Sequence, residues 1–122
     1  MPDQMTIGIV DIVGDGICVS SDDGEKIFKA VLSVLKQGNN VVISFAGVED
    51  LTTVFLNAAI GQLYGQFSEE EIRARLSVID ASNQDLETLK HSIDRAKEYF
   101  KDADRFISSA NGVLGVDDDN NS

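Results

Sequence analysis

A chain of 122 residues, 43% hydrophobic and 25% charged, is the size of one globular domain with a core of its own. Ten Lys and Arg against 21 Asp and Glu give a net charge of −11, which argues against a nucleic-acid backbone or an anionic membrane as direct ligand. A single Cys and a single His exclude an internal disulfide and a Cys/His metal cluster, and leave little material for nucleophilic catalysis.

Residues 1–16 lack a basic leading segment, and their apolar run is broken by Gly8, Asp11 and Gly14, so they do not read as a signal peptide. No stretch approaches the 18 or so uninterrupted apolar residues of a membrane helix. One unpaired Cys suits a reducing compartment. The expectation is a soluble cytoplasmic protein.

In chain order, the β-branched residues between Thr6 and Val13 predict a strand over 6–13. Gly14-Asp15-Gly16 supplies a turn, and Ile17-Cys18-Val19 reads as a short returning strand, together a hairpin. Ser21 to Gly24 then opens a helix whose apolar residues Ile27, Phe28, Val31, Leu32 and Leu35 share one face, with Gly38 placed to end it. Val41 to Phe45 is a nearly continuous apolar run that suits a central strand buried on both faces. Strand, helix and strand in that order predict a right-handed crossover onto a parallel neighbour.

Residues 52–67 read as a second helix, weakened by Gly61 and Gly65, whose fourfold spacing would let another backbone approach closely. Ser68-Glu69-Glu70-Glu71 is a capping box opening a short helix to Leu76. A further core strand is expected over 77–81. From Ser82 a last helix carries Leu86, Leu89, Ile93, Ala96, Phe100, Ala103 and Ile107 at alternating steps of three and four. That stripe packs on a sheet, or zips to a copy of itself or a partner. From Asn111 the pattern dissolves into Gly, Asn and Asp, which predicts a single domain over 1–110 and a disordered acidic tail over 111–122.

The order β-β-α-β-α-(α)-β-α on a small mixed sheet of about four strands resembles the STAS fold of bacterial anti-sigma-factor antagonists. The segment from Val41 through Gly47-Val48-Glu49-Asp50-Leu51-Thr52-Thr53 to Phe55 resembles the family's hydrophobic strand, Gly-Val pair and hydroxyl-bearing turn opening a helix. The similarity is strongest to STAS-like domains of unknown function from bacteria and phage-like elements. Their "LY-x-x-F" and "EE-x-R-x-R-L" pieces are represented by Leu63 to Phe67 and by Glu69 to Leu76. The resemblance spans about residues 6–100. Ser44 stands where the family has a strand-end Asp.

In the antagonists one Ser of the turn accepts phosphate from a kinase partner. By register that acceptor falls at Thr53 or at Val54, a residue that cannot serve. The resemblance therefore implies a non-enzymatic regulatory interaction domain. Its partner is expected to be a histidine-kinase-like ATPase or a regulator controlled by one. The binding surface is the turn comprising Gly47, Val48, Glu49, Asp50, Thr52, Thr53 and Asn57, with Thr53 the first-choice acceptor and Thr52 the second. Phosphorylation there would weaken binding to an acidic partner surface, while Glu49 and Asp50 themselves favour a basic or mixed one.

A plainer reading stands beside this one: Thr52 or Thr53 simply caps the helix. Two further functions remain open, a nucleotide or metabolite sensor using the same turn as the edge of its pocket, and an accessory subunit or homodimer assembling through the last helix. No cofactor and no metal is expected. Asp117 to Asp119 lack the spacing, central Gly and closing Glu of a calcium loop, and Gly14-Asp15-Gly16 lacks the lysine of a phosphate loop. His91 lies off the apolar stripe and is expected in solvent, and Cys18 is expected as a small buried hydrophobe.

Overall fold

A computed structural model describes residues 3–118, with side chains for residues 3–101. Its strands form two parallel sheets. In the larger, Val41, Val42 and Ile43 make β3 (Asn40–Ser44) the central strand, between β1 (Gln4–Gly8) and β5 (Leu76–Ile79). Both neighbours run parallel to it, in the register Ile7–Ile43–Val78. Alternation sorts the faces: Ile7, Val41 and Ile43 enter the core with Val78 and Leu76 packed beside them, while Thr6 and Ser77 on the other face are exposed. The crossover from β1 to β3 runs through α2 (Ser21–Lys36), as expected for a parallel pair.

Two expectations about the N-terminal third are overturned. The strand expected over 6–13 ends at Gly8, and residues Ile9–Val13 form a short helix, α1. The β-branched run has no strand partner there, because β3 stops at Ser44, opposite Gly8. Without a ladder Ile9, Ile12 and Val13 bury themselves by helical spacing instead, and Gly14 closes the helix in the left-handed conformation at φ 101°. The hairpin is absent: β2 (Ile17–Cys18) pairs in parallel with β4 (Asp50–Leu51), forming a separate two-stranded sheet. The α/β class holds, with two parallel sheets in place of one mixed sheet.

α2 is capped by Ser20, whose hydroxyl accepts the Asp23 amide at 3.1 Å, and its face of Ile27, Phe28, Val31 and Leu35 is buried. It lies against α3 (Thr53–Ala59) at Gly24, where a Cβ would come within 2.7 Å of the Ala58 methyl and also meet the Phe55 carbonyl. α3 is shorter than the helix expected over 52–67. After Ile60 the chain tightens into a 3₁₀ turn, Gly61–Gly65, because glycine is a poor α-former and i→i+3 bonding still buries Leu63. Gly65 lies against the Phe100 ring and Gly61 against the Ala96 methyl, so side chains take the space where another backbone was expected.

The capping box at Ser68 and Glu71 opens α4 (Glu69–Arg75) with both reciprocal bonds present. The last helix, α5 (Asn83–Asp118), covers α3 and the 3₁₀ turn with Leu89, Ser92 and Ala96. Leu86 heads the apolar stripe in sequence, yet it is 43% exposed. Ala103 and Ile107 lie beyond the described side chains. The backbone of α5 is helical to Asp118, past the Asn111 at which a tail was expected to begin, and residues 119–122 lie outside the described residues. Among the described residues no helix is long and apolar enough to cross a membrane.

Candidate functional site

The turn after β3 begins with two hydrogen bonds on one side chain. Ser44 Oγ donates to Asp80 Oδ2 at 3.2 Å and accepts the Ala46 amide at 3.3 Å. The carboxylate that Ser44 does not supply at the strand end therefore arrives from the end of β5. Asp80 holds a left-handed backbone, φ 61°, a conformation Asp tolerates better than most residues. Gly47 takes φ 84°, and the Val48 amide turns back to the Phe45 carbonyl at 3.1 Å. The chain is then pinned to the loop before β2. The Gly16 carbonyl accepts the amides of both Glu49 (2.9 Å) and Asp50 (3.1 Å).

Thr52 ends this arrangement and starts α3. Its amide donates to the Cys18 carbonyl at 3.2 Å, and its hydroxyl donates to the Val19 carbonyl at 3.1 Å. The same oxygen accepts the Phe55 amide at 3.2 Å, the N-cap bond. Thr52 thus caps the helix and fastens it to β2. Thr53 is the first residue of α3, partly exposed, and its hydroxyl makes no hydrogen bond among the described residues. Glu49 and Asp50 are exposed beside it.

Gly47, Val48, Glu49, Asp50, Thr52 and Thr53 are consecutive parts of one anchored turn. Asn57 belongs elsewhere. It lies a helical turn beyond Thr53, and its Oδ1 accepts the hydroxyl of Ser92, which is 1% exposed on α5, at 2.6 Å. Cys18 is buried beneath the turn, as expected. Burial first, then the charges of Asp15, Asp23 and Asp85, push its thiol from 9.0 up to about 11, so the reactive thiolate is suppressed. His91 is exposed on α5.

Sequence reasoning missed three exposed apolar residues that flank the turn: Ile17 and Val19, at and just after β2, and Val54 in the first turn of α3. Ile17 pairs with Asp50, and the Val19 carbonyl receives the Thr52 hydroxyl, so β2 reaches the turn only through the β2–β4 pairing. A returning hairpin strand would have sent Ile17 and Val19 elsewhere, and no local signal marks a two-residue parallel pair.

Parallel strands crossed by helices, with an anchored Gly-Val turn at the end of the central strand, define a small α/β domain of STAS-like architecture. The family described as STAS-like domain of unknown function matches residues 23–86, just over half of the chain, and the chain belongs to that family. The matched segment runs from the first turn of α2 through the turn and α3 to the start of α5. No curated protein and no solved structure matches the chain.

Proposed function

We propose that the domain is a non-catalytic regulatory module that docks a protein partner on the turn from Gly47 to Thr53, under control of phosphorylation at Thr53. The observation that carries this reading is the exposure of Ile17, Val19 and Val54, apolar residues on β2, just after it and on α3, at 41%, 40% and 54%. Single exposed apolar residues are ordinary. Three on adjoining elements, rimmed by Glu49 and Asp50, supply the apolar centre and charged edge of a docking surface. The acidic rim favours a partner with basic residues around an apolar centre, and by resemblance to the anti-sigma-factor antagonists we take that partner to be a kinase-like ATPase or a regulator it controls.

Of the two threonines, Thr53 suits the acceptor role. The Thr52 hydroxyl is held by two hydrogen bonds whose loss would release the helix start, whereas the Thr53 hydroxyl is not so engaged. A phosphate on Thr53 adds a charge of about −1.5 to −2 next to Val54 and close in sequence to Glu49 and Asp50. Desolvation of that phosphate against the apolar centre weakens docking, and repulsion from Glu49 and Asp50 acts within the domain, against the geometry of the turn. α3 has only seven residues, and its dipole does little to offset this.

The test is incubation with a cognate histidine-kinase-like ATPase and ATP, read by mass spectrometry. One phosphate is expected, lost in Thr53→Val and kept in Thr52→Val. Val54→Asp is expected to weaken binding of the unmodified protein. An ATPase that binds the domain yet transfers no phosphate would sink the switch, and undiminished binding of Val54→Asp would sink the surface.

A further inference from the structure

A cavity of about 280 Å³ opens between the α3–3₁₀ segment and α5, away from the anchored turn. Asn57, Gly61 and Gln62 line one wall at helical spacing, and Arg95, Tyr99 and Phe100 line the other. Its size is near the lower limit of roughly 300 Å³ for small-ligand sites, room for one heterocycle with a sugar rather than a dinucleotide.

The polar groups are half used in a specific way. Gln62 Nε2 donates to Glu25 Oε2 at 2.6 Å and to the Ala58 carbonyl at 2.8 Å. Both partners are acceptors, so the amide orientation is set, and Oε1 is left as an acceptor without a donor among the described residues. Asn57 is the converse. Its Oδ1 accepts the Ser92 hydroxyl at 2.6 Å, a length typical of O–H···O and short for N–H···O, which leaves Nδ2 as the unused donor. One cavity wall therefore carries one spare donor and one spare acceptor.

The opposite wall supplies a stacking surface and a cation. Tyr99 is 67% exposed and meets Phe100 edge-to-face, with ring centroids 5.0 Å apart at 85°. Arg95, one helical turn before Tyr99, is exposed and makes no ion pair among the described residues. An aromatic face, a donor–acceptor pair and a guanidinium around a nucleoside-sized cavity are complementary to one ligand class.

We infer that this cavity binds an adenine mononucleotide. The base stacks on Tyr99, its adjacent ring-nitrogen acceptor and exocyclic amine meet Asn57 Nδ2 and Gln62 Oε1, and its phosphate lies toward Arg95. The site is distinct from the proposed docking turn and does not depend on it. Among the described residues it uses two amides of the cavity wall whose free halves differ in polarity, which is what distinguishes adenine from hypoxanthine, whose corresponding edge has donor and acceptor exchanged.

The experiment is calorimetric titration of the full chain with AMP, adenosine and IMP. Saturable binding of AMP at one site is expected, with IMP weaker by roughly tenfold or more, the cost of unpaired polar groups at a site built to pair them. Tyr99→Ala is expected to weaken AMP by roughly tenfold through lost stacking. Arg95→Gln should erase the preference for AMP over adenosine. Both side chains are exposed, so thermal unfolding of the free variants should match the parent and separate binding from folding. No saturable binding at millimolar AMP, equal affinity for IMP, or full AMP affinity in Tyr99→Ala would each overturn the inference.

Discussion

At the scale of the residue, the hydroxyl of Thr52 has two partners and Thr53 has none among the described residues. The two neighbouring threonines should therefore differ sharply in their contribution to stability. Thr52→Ala removes the N-cap and leaves the Val19 carbonyl without that donor, a loss of about 1 kcal/mol or somewhat more. Thr53→Ala replaces the first helical residue with a better helix former and should stay within about 0.5 kcal/mol of the parent. Urea unfolding of the two variants decides this, and an equal loss in both would show that the cap does not hold α3 to β2. The same residue comparison separates structure from regulation. A Thr52 variant that loses partner binding does so through a displaced helix start, whereas under the proposed switch a Thr53 variant keeps binding and loses only its control by phosphate.

At the scale of the element, the contact between α2 and α3 depends on Gly24. Replacing an exposed helical Gly with Ala ordinarily stabilises by up to about 1 kcal/mol. Here the added methyl meets the Phe55 carbonyl, the Ala58 methyl at 2.7 Å and the Ala59 amide nitrogen at 3.2 Å, mostly backbone or short rigid groups that cannot rotate away. Packing strain of about 1–3 kcal/mol outweighs the propensity gain, so Gly24→Ala should lower the urea midpoint. A raised midpoint would mean that the two helices separate without cost. A related tie links α4 to the end of α2: Arg75 donates to the Leu35 carbonyl at 2.6 Å and the Asn39 carbonyl at 2.9 Å. That cation satisfies carbonyls the helix end leaves open and aligns β5, which follows Arg75 directly, beside β3.

At the scale of the whole molecule, the charge of −11 acts against compaction. The described ion pairs are three: Lys26–Asp23, and Arg73 and Lys97 sharing Glu69, all at least partly exposed. Such pairs contribute about 0–1 kcal/mol each. Long-range repulsion therefore exceeds local attraction. Raising NaCl from about 10 to 150 mM, which shortens the screening length from about 30 to 8 Å, should raise Tm. A Tm that falls with salt would reverse this order and give the ion pairs the larger share. Around the turn, Glu49 and Asp50 are exposed.

Local spacing by itself determined the central strand from Val41, the α2 face, the cap at Ser68, the solvent position of His91 and the family resemblance through Gly47-Val48, and it narrowed the α3 cap to Thr52 or Thr53. Each is a property of residues a few positions apart, and periodicity, capping and turn chemistry act over that range. Only the tertiary structure decided that residues 9–13 coil into a helix, that Ile17-Cys18 pairs with Asp50-Leu51, and that Asn57 turns to Ser92. Those outcomes depend on which strand ends beside which. A β-branched run extends only where a ladder awaits it, and a polar side chain joins whichever buried partner the packing presents. The turn from Gly47 to Thr53 was legible as a segment, but the chain that brings exposed Ile17 and Val19 to it lies more than thirty residues earlier. The cavity at Tyr99 likewise needs α3 and α5 side by side, and no periodicity records that contact.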